Sequence, residues 1–407
     1  MSVSITFLGG ADTVTGSKYL VRQGDQCLMV DCGLFQGYKQ LRLRNWTPLP
    51  IAPNTVDAVV LTHAHLDHSG YLPLLVKEGF TGRVYASPGT QDLCKILLPD
   101  SGHIQEEDAA FANRHGLSKH TPALPLYSRQ DALDCLPQIN PDDMLMYPPD
   151  PPPVADTVLI ESTYGDRQHP SEDLMAELGP ALHRLAARGG VAVVPVFAVG
   201  RAQAVLHAIA QLKANGQVPH ALPVFLDSPM AVHTTHLFEK HMGEHRLTAK
   251  EAHALTHSAV MINSTDESRA LSARHGPMVI LSASGMATGG RVLHHLEQRA
   301  GDHRNMIILT GYQAPGTRGA KLANGDKSIR IHGHDVDVKA EVVQLQSASA
   351  HADADQLLNW LRSMPGRPDQ VYVVHGDQKA SDTLRGRIEH ELDMRAMVPE
   401  HGSTWPS

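Results

Sequence analysis

The chain contains 407 residues, of which 42% are hydrophobic and 19% charged, and these values predict a globular rather than a disordered protein. Its length exceeds that of one ordinary compact core, so we expect at least two domains. The formal charge of −8 excludes a uniformly basic surface for nonspecific nucleic-acid binding, although a local basic groove remains compatible with it.

The sequence predicts a cytoplasmic protein without a membrane segment. It has no apolar run of about 18 or more residues, the length that a membrane helix needs. The N-terminus is typical of a first β-strand rather than of a signal peptide. The cysteines are scattered, which favours reduced thiols over a disulfide framework; they are Cys27, Cys32, Cys94 and Cys135.

The first part of the chain alternates short apolar runs with tight turns, which predicts a β-rich beginning. The predicted strands are Ser4–Leu8, Lys18–Val21, Cys27–Asp31 and Asp57–Leu61. Helices are then predicted at Ser69–Glu78, Ile104–Arg114 and Ser128–Leu136, the last from its S-x-x-D capping pattern. After the proline-rich stretch 141–153, Thr157–Glu161 is predicted as another strand.

The middle of the chain alternates helices and apolar strands, a pattern that predicts a parallel, doubly wound sheet. The elements are Leu174–Arg188, Val191–Val196, Ala202–Ala214, Pro223–Leu226, Pro277–Leu281 and Asn305–Leu309. Ser328–Gln346 returns to strand-like alternation with a turn at Gly333-His334, and Gln370–Val374 and Ser381–Leu392 are predicted as a strand and a final helix. This order predicts a domain at residues 167–318 inserted between two parts of another domain, residues 1–166 and 319–407.

Three histidines and an aspartate follow the apolar strand 57–62, in the pattern H-x-H-x-D-H at His63, His65, Asp67 and His68. Cations such as zinc take imidazole nitrogen and carboxylate oxygen, so this spacing predicts a two-metal hydrolytic site. The alternative is a solvated histidine cluster in a chain with 26 histidines. The position directly after a buried strand favours the metal site.

The chain resembles metallo-β-lactamase-fold nucleases of the β-CASP group, the RNA-processing branch, over nearly its whole length. The matching segments occur in the family order: Phe7–Ser17, Val30–Gly37, His63–His68, Glu161–Arg167, Phe197–Gln203, Leu226–Met230, Ser282–Gly290, Ser349–Asp353 and Val374–Asp377. The resemblance implies an α/β protein: an αββα sandwich with an inserted α/β (β-CASP) domain. It also implies zinc-dependent hydrolysis of phosphodiesters in RNA, in which two zinc ions activate water.

The resemblance assigns metal and catalytic roles to matching residues. His63 and His65 would bind the first zinc, and Asp67, His68 and His375 the second. Asp67, Glu161 and His351 would be catalytic; the Glu161 carboxylate holds the His351 imidazole, which protonates the leaving oxygen. Asp31 would orient the ligand loop, with a turn-capping role before Gly33 as the alternative.

The resemblance also implies a groove for single-stranded RNA in the inserted domain. The candidate RNA-binding residues are Arg201, Ser284, Gly285, Thr288, Gly289 and Arg291. A glycine-rich segment that opens a helix offers backbone N–H groups to phosphates, although an ordinary helix start is the alternative. A homodimer remains open.

Two motifs of the family are missing between His68 and Glu161: a Gly-His whose histidine completes the first zinc site, and a Gly-Asp whose aspartate bridges both ions. The chain therefore resembles one from which several dozen residues are deleted near Ile139-Asn140-Pro141. Ser101-Gly-His103 is only superficially similar to the first motif, because it leads into a helix. The nearby carboxylates lack a strand-end position; they are Asp142, Asp143, Asp150 and Asp156.

The missing motifs leave three functional hypotheses. The first is a zinc-dependent ribonuclease whose activity the missing ligands impair. The second is an RNA-binding pseudoenzyme with a partial metal site, since catalytic zinc usually has three protein ligands. The third is a metal-dependent hydrolase of another ester, which a neutral groove would favour.

Overall fold

The computed structural model describes residues 3–141, 152–170, 173–245, 247–349 and 351–406. The chain divides into two compact units, one formed by Met1–Gln168 with His351–Ser407 and the other by His169–Ala350. The sequence-based division places residues 319–350 with the C-terminal part instead. They lie in the second unit because the strand Glu341–Leu345 hydrogen-bonds to Met306–Thr310 there.

The strands in chain order are β1 Val3–Gly9, β2 Lys18–Gln23, β3 Gln26–Val30, β4 Ala58–Val60, β5 Arg83–Ala86, β6 Ile139–Pro141, β7 Thr157–Glu161, β8 Val191–Pro195, β9 Val224–Asp227, β10 Val260–Ile262, β11 Met278–Ser282, β12 Met306–Thr310, β13 Ser328–Ile331, β14 His334–Asp337, β15 Glu341–Leu345, β16 Gln370–Val374, β17 Ala396–Met397 and β18 Thr404–Pro406.

The helices in chain order are α1 Lys39–Arg44, α2 Leu66–Ser69, α3 Leu72–Lys77, α4 Pro88–His115, α5 Arg129–Cys135, α6 Leu174–Arg188, α7 Arg201–Ala214, α8 Pro229–Lys240, α9 Ala249–Thr256, α10 Thr265–Ser272, α11 Arg291–Arg299, α12 Arg318–Ala323, α13 Ala354–Arg362 and α14 Gln378–Leu392. Among the described residues, no helix has both the length and the apolar character that a bilayer crossing requires.

The first unit contains two sheets that share an apolar core. One sheet has the strand order β18-β1-β2-β3-β4-β5-β6, and the other has the order β17-β16-β7. Aromatic side chains fill the space between them, with the rings of Phe7 and Tyr372 centred 5.1 Å apart. Helices α13 and α14 cover the smaller sheet through buried leucines and Ile388, while α4 contacts the larger sheet at β6. The arrangement is an αββα sandwich.

The second unit is built on a parallel six-stranded sheet with the order β10-β9-β11-β8-β12-β15. Helices α6 and α7 pack on one face through buried residues such as Leu182 and Leu206. Helices α11 and α12 cover the opposite face through Leu296 and Leu322. The prediction of a doubly wound parallel sheet is therefore confirmed, because both faces of its continuously apolar strands are covered.

Local differences from the sequence-based expectations follow from capping and turn chemistry. Helix α4 begins at Pro88, well before the predicted start at Ile104, because Ser87 caps it and Pro99 is tolerated inside it. The hairpin turn is His332-Gly333 rather than Gly333-His334, since Ile331 pairs with His334. Both turn residues have positive φ, 46° and 91°, which suits the twist of a two-residue hairpin.

Candidate metal centre

The ends of two neighbouring parallel strands position the H-x-H-x-D-H segment in the first unit. Strand β4 ends at Val60, and residues 62–65 form the loop that leads into helix α2. Strand β3 ends beside it, and the Asp31 N–H donates to the Val60 carbonyl over 2.8 Å. The segment therefore lies at the carboxyl edge of this part of the sheet, where side chains remain accessible to a ligand.

Asp31 fixes both the loop and the His68 imidazole. Its carboxylate accepts hydrogen bonds from the Thr62 backbone N–H (2.8 Å) and hydroxyl (3.0 Å) and from His68 Nδ1 (2.7 Å). The Gly33 N–H donates to the Ser17 carbonyl instead, so the carboxylate does not cap the turn before Gly33. Because Nδ1 of His68 carries the donated proton, Nε2 is the nitrogen left for a cation.

His375 reaches the same cluster from the smaller sheet of the first unit. It follows strand β16 with a φ of 51°. The Thr163 hydroxyl donates to the His375 carbonyl over 3.1 Å and lies 3.2 Å from Nδ1 of the same residue. Since the hydroxyl has donated its one hydrogen, it accepts from Nδ1–H, and the lone pair of His375 is on Nε2.

Three acceptor atoms converge as a result. His68 Nε2 and His375 Nε2 are 3.1 Å apart, and Asp67 Oδ2 lies 3.4 Å from His375 Nε2 and 3.7 Å from His68 Nε2. Zinc–ligand bonds of roughly 2.0–2.2 Å in tetrahedral geometry separate ligand atoms by about 3.3 Å. Two lone pairs and a carboxylate at these separations require a cation or a proton between them. The donor set therefore fits a divalent metal ion.

The other half of the segment offers fewer ligands. His63 Nε2 and His65 Nδ1 are 3.0 Å apart, and the rings of His63 and His68 are centred 4.0 Å apart. Within the described residues, however, neither His63 nor His65 belongs to a group of three or more converging ligand atoms. The two halves of the predicted metal site are therefore unequal.

Glu161 and His351 form a second pair next to His375. His351 Nδ1 is 3.1 Å from Glu161 Oε1, and the Thr163 N–H donates to Glu161 Oε2 over 2.9 Å. One ligand atom from each of Glu161, His351 and His375 lies within 4.8 Å of the others. Glu161 is the last residue of β7 and is paired with Val374 on β16, which brings it beside His375.

The pKa shifts in the cluster run in both directions: burial would lower the pKa of His68, but the hydrogen bond to Asp31 and the nearby carboxylates raise it. Burial, followed by the neighbouring imidazoles, lowers the pKa of His63 well below its ordinary value. Burial alone would raise the pKa of Asp67 and of Glu161, but the nearby imidazoles, led by His375 and His351 respectively, outweigh burial and lower both. Neutral imidazole and ionised carboxylate are the forms that bind a cation.

The sequence analysis missed three residues that support the cluster: Thr62, Thr163 and Lys18. The Lys18 ammonium is buried, donates to the carbonyls of Gly33 and Gly16, and lies 4.6 Å from the centres of the Phe35 and Tyr71 rings. Burial lowers the pKa of Lys18 to about 8. Thr163 lies in Glu161–Arg167, one of the segments that match the family. No pattern in the sequence distinguishes Lys18 from a surface lysine.

The predicted RNA-binding residues all lie in the second unit. Arg201 begins helix α7, and the Ser284 and Thr288 hydroxyls are 2.8 Å apart in the loop before helix α11. A side chain at Gly285 would meet Phe197, with its Cβ only 2.6 Å from the ring, so the loop requires glycine there. Gly289 precedes Gly290, the residue before α11, whose φ is 77°.

Arg291 is engaged inside the second unit. Its guanidinium donates to Asp227 Oδ1 over 2.8 Å and to the Asn263 carbonyl over 2.9 Å. His295 Nε2 and the Ser268 hydroxyl donate to the other oxygen of the same buried carboxylate, each over 2.6 Å. The Asp227 carboxylate thus accepts three charged or polar donors, and sequence reasoning missed His295 and Ser268.

The remaining candidates do not join the cluster. His103 lies inside helix α4 with a half-exposed side chain, 3.6 Å from Glu107. Asp156 accepts hydrogen bonds through its carbonyl from the N–H groups of Asp369 and Gln370. Asp142, Asp143 and Asp150 lie outside the described residues.

Comparison with known protein families identifies three regions. The metallo-beta-lactamase superfamily profile matches residues 12–124, the Beta-Casp domain profile residues 202–322, and the Zn-dependent metallo-hydrolase RNA specificity domain profile residues 335–399. A ribonuclease of Thermus thermophilus is 35% identical over 408 aligned positions, covering 91% of this chain and 92% of the relative. The chain belongs to the β-CASP family of metallo-β-lactamase-fold hydrolases.

Other β-CASP relatives extend the comparison. The transcription termination factor FttA of Methanosarcina mazei is 30% identical, with 96% of this chain and 69% of the relative covered. FttA of Pyrococcus abyssi is 27% identical, with 99% and 71% covered. The predicted family, the sandwich with an inserted β-CASP domain and the class of metal-dependent hydrolase are confirmed.

Proposed function

We propose that this β-CASP protein is a zinc-dependent nuclease that hydrolyses phosphodiester bonds in single-stranded RNA. The observation that carries the proposal is the convergence of Asp67, His68 and His375 next to the Glu161–His351 pair. Support for RNA as the substrate comes from the RNA specificity profile over residues 335–399 and from the similarity to a ribonuclease.

Asp67, His68 and His375 would hold one cation, and His63 and His65 would contribute to a second. A divalent ion supplies Lewis acidity toward a phosphate oxygen and toward water, which is the chemistry that phosphodiester hydrolysis requires. Asp31 keeps His68 in the tautomer that presents Nε2, and Thr163 does the same for His375. These two residues therefore position ligands rather than bind the ion.

His351 is the proposed general acid. Its Nδ1 faces Glu161 Oε1, so the imidazole is held in one orientation, and the other ring nitrogen is the atom that would deliver a proton to the leaving sugar oxygen. The Glu161 carboxylate lies against the His351 ring, and the Thr163 N–H fixes that carboxylate. Positioned proton transfer of this kind typically contributes about 10²–10⁴-fold to a rate.

The proposed RNA contacts lie in the β-CASP unit. The hydroxyls of Ser284 and Thr288 and the backbone of Gly285, Gly289 and Gly290 precede helix α11, whose first N–H groups favour anions. Arg201 supplies a guanidinium at the start of helix α7. The guanidinium of Arg291 already neutralises Asp227, so we expect its contribution to RNA binding to be smaller than that of Arg201.

A second candidate function is RNA binding with a partial metal site, and it rests on a different observation. The alignment with the Pyrococcus relative spans 469 positions, which exceeds the 407 residues of this chain by 62, so at least that many positions lack a counterpart here. The deletion near residues 139–141 stays a prediction. Among the described residues, His63 and His65 belong to no group of three converging ligand atoms.

Cleavage of a labelled single-stranded RNA by the zinc-loaded chain separates the two candidates. We expect cleavage by the wild type and a loss of about 10²–10⁴-fold in His351→Ala, with unchanged RNA affinity. His103→Ala is the matched control, because this exposed helical histidine lies outside the cluster. Retention of RNA by the wild type without any cleavage would overturn the nuclease proposal and favour the binding protein.

The cysteine side chains support the proposed cytoplasmic location. All four are unpaired and buried, as expected for a protein from a reducing compartment.

A further inference from the structure

Helix α11 and the hairpin β13–β14 bring together a second group of metal-ligand side chains, in the β-CASP unit. His294 and Glu297 lie one turn apart on the helix, and His332 and His334 flank Gly333 at the hairpin turn. His332 Nδ1 is 3.1 Å from Glu297 Oε2, and His334 Nε2 is 2.9 Å from Glu297 Oε1. We call these four residues the helix–hairpin cluster.

The donor chemistry of the helix–hairpin cluster suits a borderline divalent ion. Three imidazoles and one carboxylate are typical ligands of zinc, and their H-x-x-E and H-x-H spacings place pairs of ligands on one side of a helix and of a hairpin. One ligand atom from each of His294, Glu297 and His332 lies within 4.8 Å of the others. Tetrahedral coordination needs about 3.3 Å between ligand atoms, so these three atoms would have to approach one another. His334, whose Nε2 is 2.9 Å from Glu297 Oε1, would have to turn toward them.

Apolar packing holds the two ligand-bearing elements in place. Ile329 and Ile331 of the hairpin are buried in one core with Leu293 and Leu296 of helix α11. The ligands point from the same two elements toward the surface, where the side chain of Glu297 is 26% exposed and that of His332 35% exposed. Pre-positioned ligands lose little conformational freedom on binding an ion, which favours affinity.

The rings of His294 and His332 are stacked with centres 4.6 Å apart, so the helix and the hairpin turn each present an imidazole at the same place on the surface.

A second surface group shows what the helix–hairpin cluster has in addition. Glu239, His253 and His257 also lie within ligand distance of one another; all three are exposed, as are His294 and His332, whereas Glu297 is half-buried. His257 Nδ1 lies 2.9 Å from the His253 carbonyl. The Thr256 hydroxyl donates to the Glu239 carboxylate over 2.9 Å. This group offers three ligands instead of four, although its two helices also share a buried core through Ala231, Val232 and Leu255.

We propose that His294, Glu297, His332 and His334 form a structural zinc site in the β-CASP unit. The proposed catalytic ligands belong to the other compact unit. The bound ion would fasten the hairpin β13–β14 to helix α11. Because α11 begins directly after the Ser282–Gly290 loop, the ion would also restrain the segment proposed to contact phosphates.

Zinc stoichiometry of the full-length chain tests this site. After loading with zinc and dialysis, elemental analysis should find one zinc fewer per chain in the double variant His332→Ala/His334→Ala than in the wild type. The matched control is His253→Ala/His257→Ala, which should retain the wild-type content. Equal zinc content in the wild type and the hairpin variant would overturn the proposal.

A conservative variant provides a readout that does not depend on folding of the hairpin. Glu297→Gln keeps the size of the side chain and removes the anionic ligand, so we expect zinc-dependent thermal stabilisation to need at least about tenfold more zinc. Far-ultraviolet circular dichroism should be unchanged. An unaltered zinc dependence in Glu297→Gln would contradict the site, whatever the nuclease assays show, because the readout is independent of cleavage.

Discussion

Two carboxylate–imidazole groups in this protein differ in how their hydrogen bonds are completed. In the first unit, Asp67 lies against the Nε2 atoms of His68 and His375, whose Nδ1 atoms face Asp31 and Thr163. In the second unit, the Asp227 carboxylate accepts from Ser268, Arg291 and His295. The first group presents acceptors to one another and is suited to a cation, whereas the second is complete without one.

Residue type does not by itself identify a metal site. Aspartate and histidine occur in both groups, although Asp227 is fully buried and the Asp67 side chain is 25% exposed. The direction of the donors distinguishes them, since a carboxylate that already accepts three donors gains little from a cation, while converging lone pairs repel without one. Substitutions in the two groups should therefore have different consequences.

The largest expected effect is on activity, in His375→Ala. His375 converges with Asp67 and His68 and is also the neighbour of the Glu161–His351 pair, so its removal affects both groups. We expect cleavage of single-stranded RNA to fall to the level of the metal-free chain while RNA binding persists. Cleavage at the wild-type rate would show that the ion needed for catalysis binds elsewhere.

The largest expected effect on stability is in Asp227→Ala. Removing one partner of a buried charged group costs about 3–5 kcal/mol because Arg291 and His295 lose their acceptor. Burial alone would raise the pKa of Asp227, but the hydrogen bonds from His295, Ser268 and Arg291 lower it from 3.8 in the folded chain. The contribution is therefore present above about pH 4 and is lost as the pH falls through the lowered pKa.

Urea unfolding of the wild type and Asp227→Ala at several pH values measures this contribution. The difference in the free energy of unfolding should be constant near neutral pH and shrink at acidic pH. Asp266→Ala serves as the control, since the Asp266 side chain is 91% exposed. A difference that grows on acidification would contradict the assigned ionisation of Asp227.

A smaller effect, on metal affinity, is expected in Asp31→Asn. The amide can no longer accept the His68 Nδ1–H in the same way, so His68 loses its orientation. Loss of such a positioning residue typically weakens metal binding by about 10–100-fold. Asp25→Asn, at an exposed turn position, is the control, and zinc titration is the measurement. Unchanged affinity in Asp31→Asn would reduce Asp31 to a loop-stabilising role.

The smallest expected effect is on RNA affinity, in Arg201→Ala. Loss of one phosphate contact should make the slope of log K for binding against log salt concentration shallower by about 0.7 for single-stranded RNA. Arg291→Ala should instead lower stability, because it leaves Asp227 without its guanidinium partner. A larger change of the salt slope in Arg291→Ala than in Arg201→Ala would reverse the proposed roles.

Most of the fold could be predicted from the sequence because the signals for helices, strands and caps are local. Helix α6 and strand β16 have the predicted limits, Leu174–Arg188 and Gln370–Val374, since an Asp173 cap and a Gly189 terminus bound the helix and apolar residues fill the strand. Helix α4 is longer than predicted, because Ser87 caps it upstream and Pro99 is tolerated inside it. Contacts distant in sequence were hardest to predict, such as the pairing of β15 with β12 that assigns residues 319–350 to the second unit.

The spacing 63–68 and the family resemblance predict the candidate ligands, which stay predictions, and the structure brings Asp67, His68 and His375 together. The residues that orient them depend on tertiary contacts. Thr163 reaches His375 across 212 positions of sequence, and His295 reaches Asp227 across 68. No local sequence pattern encodes either contact. Only the folded chain shows which hydrogen-bond acceptors converge and which already have donors.

The most direct test of the central claim is the zinc content of the full-length wild type and of Asp67→Ala/His375→Ala, measured by elemental analysis together with cleavage of labelled single-stranded RNA. The double variant should lose at least one zinc per chain and all cleavage, while the helix–hairpin cluster keeps its ion. Equal zinc content and undiminished cleavage in the double variant would contradict the assignment of Asp67 and His375 to the catalytic metal centre.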